Sequence, residues 1–114
     1  MTLHTVHRGQ FSWDGVPALD YKPRGGAFVG VTRRVLAPTD SGRPFEVRYF
    51  EVAPGGHSSL ERHEHGHAVM VLRGEGGALV GKQLLELRPF DLVCVPSGAW
   101  HQFRATGDEP LGFL

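Results

Sequence analysis

Apolar positions in this 114-residue chain fall in short runs separated by turn-forming residues. From residue 28 onward the runs come at close spacing, and none keeps a 3.6-residue period long enough to specify a helix. Strands are expected over residues 28–36, 45–53, 68–73, 78–80, 84–87, 92–95, 100–105 and 111–114. The run at 45–53 (FEVRYFEVA) is rich in β-branched and aromatic residues and is expected to stop at Pro54-Gly55-Gly56. Residues 38–42 (PTDSG) and 106–110 (TGDEP) read as turns. Many short strands at this spacing predict an all-β closed barrel or sandwich, since closure removes exposed strand edges. Residues 1–27 read as an irregular N-terminal extension, broken by Pro17, Pro23 and the Gly25-Gly26 pair, with Trp13 and Tyr21 as anchors that need a surface. The final run, Leu111-Gly112-Phe113-Leu114, stops while still apolar, so it is expected either to be completed by another chain or to be cut short.

The length suits one domain with one core, placed at 28–114. Twelve Lys and Arg balance twelve Asp and Glu, so no overall basic footprint exists for nucleic acid or an anionic membrane. Cys94 is the single cysteine, which excludes an intrachain disulfide and fits a reducing compartment; packing as a small apolar residue is expected of it. Residues 1–9 lack the apolar segment of a signal peptide, and no stretch approaches the ~20 apolar residues of a membrane span. A cytoplasmic protein is the expectation.

Histidine is where the sequence becomes chemical. Four of the seven fall within eleven residues, His57, His63, His65 and His67, and His101 follows near the C-terminus. Neutral imidazole is a common metal ligand at physiological pH. Residues four apart in a straight strand sit about 13 Å apart, while an ion needs nitrogens at about 2.0–2.1 Å. The chain must therefore turn between His63 and His67, and Glu64-His65-Gly66 is expected to supply a three-residue hairpin loop with Gly66 in the left-handed region. Glu61 and His63 would then point inward from one strand end, and His67 from the next strand's start, followed on its face by Val69 and Val71. His65 would lie at the mouth. His101, aimed inward by the Pro96-Ser97-Gly98-Ala99 turn, would converge on the same point, with Phe103 on its face. His57 is expected to be an exposed loop residue.

These residues resemble the cupin family, whose first motif runs G-x5-H-x-H-x3–4-E-x6-G and whose second runs G-x5-P-x-G-x2-H-x3-N. Gly55, Glu61, His63, His67 and Gly74 reproduce the first spacing; Pro96, Gly98 and His101 match the second, with Phe90 and Ala105 at its terminal positions. The chain departs from the family in having Glu61 where the first histidine stands and His67 where the acid stands. The resemblance, over residues 28–114, implies a small double-stranded β-helix (jelly-roll) barrel. It implies one divalent transition metal ion, Mn, Fe or Zn, held by His63, His67 and His101, with Glu61 either a fourth ligand or a hydrogen-bonding partner of a ligand imidazole. Val69, Val71, Phe103 and His65 would line the pocket for a small organic ligand or substrate.

Three function classes fit such a site. One is a metal-dependent oxidoreductase of the dioxygenase type, using coordination positions left open by three imidazoles. Another is a non-catalytic binding or sensing module, and the last is a structural metal site in a dimerisation domain. A homodimer is expected on account of the anchors and the apolar chain end. Arg73 and Arg104 are the nearest candidates to select an anionic substrate, although both are expected to be solvated.

Overall fold

In the computed structural model, which describes residues 2–22 and 27–114, every regular element is a β-strand. Pro23 and the Gly25-Gly26 pair lie outside the described residues. The strands are β1 (Leu19–Asp20), β2 (Val29–Ala37), β3 (Val47–His57), β4 (His67–Arg73), β5 (Gly76–Val80), β6 (Gln83–Leu87), β7 (Leu92–Val95), β8 (His101–Ala105) and β9 (Leu111–Phe113). They form one curled, antiparallel, all-β sheet in the order β6-β5-β8-β3-β9-β4-β7, with β2 on β3 and β1 on β2. Alternation sends Val52, Val69, Val71, Val80, Val93, Val95, Phe103, Leu111 and Phe113 into a common core. Full burial of one such side chain stabilises by about 1.5–3 kcal/mol, and Val52, Val71 and Leu111 are fully enclosed.

The long strand β3 organises the fold. Along Phe50–Val52 it lies between β2 and β9, and at His57 it pairs with β8 instead. Pro54-Gly55-Gly56 does not end this strand as expected. Instead, the register against β2 jumps from Val31↔Val52 to Val29↔His57, so the extra residues form a bulge through which the strand continues. Glycine is needed there: a Cβ on Gly56 would stand 2.4 Å from the Val29 carbonyl oxygen. His57 is consequently a half-buried strand-end residue rather than an exposed loop residue, with Nδ1 3.0 Å from the Ser58 carbonyl.

Two expectations about contacts are redirected. Phe11 stacks on Tyr49 with centroids 5.7 Å apart, Trp13 packs on the same ring at 5.1 Å, and Tyr21 meets Phe28 and Phe50 edge-on. The anchors thus bury against this chain's own strands. The apolar run from Leu111 is likewise inserted between β3 and β4, with Leu111 and Phe113 buried. Both features that suggested a partner are satisfied within one chain. Cys94 is a free thiol on the exposed face with Leu92, because pairing of Val95 with His67 and Val93 with Val69 turns the two valines inward. It neither packs in the core nor approaches the histidines.

Candidate metal centre

The three histidines converge because two backbone segments are stapled to β8. The Ser58 amide donates to the Phe103 carbonyl at 2.8 Å, and the Phe103 amide donates to Ser58 Oγ at 2.9 Å. Three residues on, Glu61 and His101 exchange both backbone hydrogen bonds, at 3.1 and 2.9 Å. From this bridge the chain crosses to β4, which pairs with β7 and β9. The expected hairpin between His63 and His67 is therefore absent. The turn is a crossover, because the strands on either side of it have different partners. The Gly98 amide donates to the His63 carbonyl at 2.8 Å and pins the crossover to the turn before β8. Gly66 is not in the left-handed region; it is small because a Cβ there would stand 3.0 Å from the Val95 carbonyl oxygen.

His63, His67 and His101 each present a ring nitrogen, all within 4.8 Å of one another, and they are the one such group among the described residues that could hold a metal ion. His63 Nε2 and His67 Nε2 are 3.2 Å apart. Two nitrogens each about 2.1 Å from an ion stand about 3.0 Å apart at an octahedral right angle and about 3.4 Å apart in a tetrahedron, so this pair already has ligand spacing. His63 Nδ1 lies 3.2 Å from the His65 carbonyl and His101 Nδ1 lies 3.0 Å from the Ala99 carbonyl. A carbonyl only accepts, so both Nδ1 atoms carry a proton, and Nε2 is the ring atom of each left to face the centre. Burial holds the His67 imidazole down to about 4, helped by repulsion from His63, His101, His65 and Arg48, which keeps the ring neutral as ligation requires. The donor set thus fits one divalent ion.

Glu61 stands beside this group but outside it. Its carboxylate is ion-paired with Lys22 and accepts from Tyr21 Oη at 3.3 Å. Burial pushes its pKa up, yet the Lys22 ammonium together with hydrogen bonds from Ser59 and Tyr21 outweighs that and leaves it below the usual range. His65 is exposed, and its ring lies parallel to that of His63 with centroids 4.1 Å apart.

The histidines open onto a cavity of about 330 Å³. His65, Val69, Phe103 and Glu61 share its wall, whereas Val71 is enclosed in the core beyond it. Arg73 and Arg104 are elsewhere: Arg73 pairs with Glu51 and Glu109, and Arg104 is exposed beside Gln102. The wall's cations are instead Arg48 and Lys22, near Tyr21, Phe50 and Glu46. Arg48 and Phe50 share the parity of buried Val52 along β3, but Tyr49 on the opposite parity is buried as well, so alternation alone does not choose the face. Lys22 follows an irregular segment with no period to read.

The family profile for the cupin domain matches residues 48–114. The chain is 54% identical over 108 residues to 1-methylthio-D-xylulose 5-phosphate methylsulfurylase of Rhodospirillum rubrum, covering 94% of this chain and 69% of that protein. A crystal structure of a cupin-2 domain from the same organism superposes with a TM-score of 0.83 at 51% identity, covering 95% of this chain and 72% of that one. A cupin 2 conserved barrel domain protein from Rhodopseudomonas palustris superposes at 0.87 with 44% identity, over 96% of this chain and 76% of the other.

Proposed function

The chain belongs to the cupin domain family, and from that premise we propose that it is a metal-dependent enzyme acting on a small phosphorylated, methylthio-bearing ketose or a close analogue. The observation that carries this reading is the opening of three ring nitrogens, all within 4.8 Å of one another, onto a cavity of about 330 Å³. A structural site is closed by four protein ligands, whereas this one has three imidazoles and a cavity of small-molecule size in front of them. A bound divalent ion, Mn, Fe or Zn, would polarise a substrate oxygen at this point. The substrate class follows the activity for which the relative at 54% identity is named.

The chain's own residues have separable tasks. His63 and His101 are held in one orientation by the His65 and Ala99 carbonyls, so their Nε2 atoms face the cavity without rearrangement. Glu61, ion-paired with Lys22, is a carboxylate on the same wall and would be the proton acceptor once substrate displaces its present partners. Phe50, Val69 and Phe103 provide apolar wall that excludes water from the bound molecule.

A second reading, dioxygenase-type oxidoreduction, is favoured by the same three imidazoles, which leave coordination positions open. The reading includes a cytoplasmic location, supported by the exposed free thiol of Cys94. It also includes a homodimer, supported by Leu84, Phe90 and Leu92, which are 83%, 78% and 58% exposed.

The test pairs elemental analysis with turnover. Untagged protein purified without chelator should carry about one equivalent of metal per chain, lost in a His63→Ala/His101→Ala double variant. The wild type should consume 1-methylthio-D-xylulose 5-phosphate without taking up dioxygen. Oxygen uptake would favour the second reading, and metal with no turnover of either kind would leave a binding or sensing module. Failure to take up any metal on titration would overturn the proposal.

A further inference from the structure

Four charged side chains line the cavity, Arg48, Lys22, Glu46 and Glu61, and they are arranged as two couples around one aromatic pair. Arg48 stands over the Phe50 ring, 4.9 Å from its centroid, and bonds Glu46 at 3.1 Å. Tyr21 meets Phe50 edge-on at 5.9 Å, and the Lys22 ammonium is 5.3 Å from the Tyr21 ring and paired with Glu61. The two cations therefore flank a single stretch of wall, formed by β3 and by the segment that leads into β2.

Ion pairs this accessible, with side chains about one-third exposed, contribute only about 0–1 kcal/mol. That gives little structural reason to set four charges around one cavity. A ligand reason exists. Guanidinium offers a planar donor fork matched to phosphate oxygens, and an ammonium supplies a second point charge. A phosphate dianion entering here would exchange Arg48's weak partner for a stronger one, and Glu46, itself 36% exposed, is free to turn to solvent.

Resting on the substrate class proposed above, we infer that Arg48 and Lys22 form a clamp for the phosphate end of the substrate, seated on the Phe50–Tyr21 wall. The other end of the molecule then faces His63, His67 and His101. Glu46 is Arg48's partner when no phosphate is bound, and it competes with the phosphate.

The test is titration calorimetry with D-xylulose 5-phosphate and with D-xylulose. It is run on the protein as purified and again after metal removal, so that phosphate cannot score by ligating an ion. Wild type should bind the phosphorylated sugar at least tenfold tighter than the free sugar in both forms, and the advantage should shrink with added salt. Arg48→Gln and Lys22→Met should each weaken the phosphorylated sugar about tenfold or more and weaken the free sugar far less. Glu46→Gln should tighten the phosphorylated sugar, a change that a purely structural Arg48 would not produce and that requires no loss of fold. A wild-type preference for phosphate that survives both cation substitutions would overturn the clamp and leave the substrate class standing. No preference in wild type would overturn the substrate class, and the clamp with it.

Discussion

Replacing His67 with Gln should change how the fold responds to acid, and the size of the change follows from the site. Burial, then the neighbouring imidazoles of His63, His101 and His65 and the Arg48 guanidinium, lower His67 from its ordinary 6.5 to about 4. Between those values the unfolded chain binds a proton at this ring and the folded chain does not. Stability is therefore intact above pH ~6.5 and is lost as pH falls toward 4. At pH 5 the unfolded form is favoured by a factor of about 30, or about 2 kcal/mol. His67 is only half-buried, and screening of that kind reduces the figure to about 1 kcal/mol. In metal-stripped protein, moving from pH 7.5 to pH 5 should lower the urea midpoint of wild type by roughly 0.5–1 M more than that of His67→Gln, for a denaturant slope of about 1–2 kcal/mol per M. The other titrating groups are present in both proteins, so the difference reports this ring together with its coupling to the neighbouring imidazoles. Equal midpoint losses in the two proteins would refute the claim that the cluster holds His67 neutral.

Glu61→Gln should retain about one equivalent of metal, measured by plasma mass spectrometry, while turnover falls at least tenfold, since the carboxylate is engaged by Lys22 and Tyr21 rather than by the imidazole group. Loss of metal in that variant would make Glu61 a ligand. Gly56→Ala should lower stability by about 1–3 kcal/mol in thermal or urea unfolding, because the added Cβ would stand 2.4 Å from the Val29 carbonyl and 2.9 Å from that of Ala53; an unchanged midpoint would contradict the bulge geometry. Cys94→Ser should shift stability by less than about 0.5 kcal/mol, and the wild-type thiol should react with a disulfide reagent in the folded protein, as an exposed residue must. A thiol that reacts only after denaturation would place it back in the core.

Periodicity within the chain was enough to establish an all-β protein, since short apolar runs with strand alternation have no other way to bury one face. The choice of His63, His67 and His101 came instead from the resemblance to the cupin motifs; ligand distances added only that the chain must turn between the first two. What local pattern could not supply was pairing. Leu92, Val93, Cys94 and Val95 are apolar at all four positions, so only the register of β7 against β4 decided that the valines face inward and the thiol outward. The crossover after Glu61 likewise depends on β8 taking one side of it and β7 the other, a fact about strands some thirty residues distant. Neither Arg48's face nor its neighbours at the cavity were legible, because Tyr49 and Val52, on opposite parities of β3, are both buried. Lys22 reaches Glu61 across 39 positions from a segment without a period. A backbone's local preferences act over a few residues, whereas a site in a barrel is assembled from side chains that meet only after closure, and closure is what the tertiary structure decides.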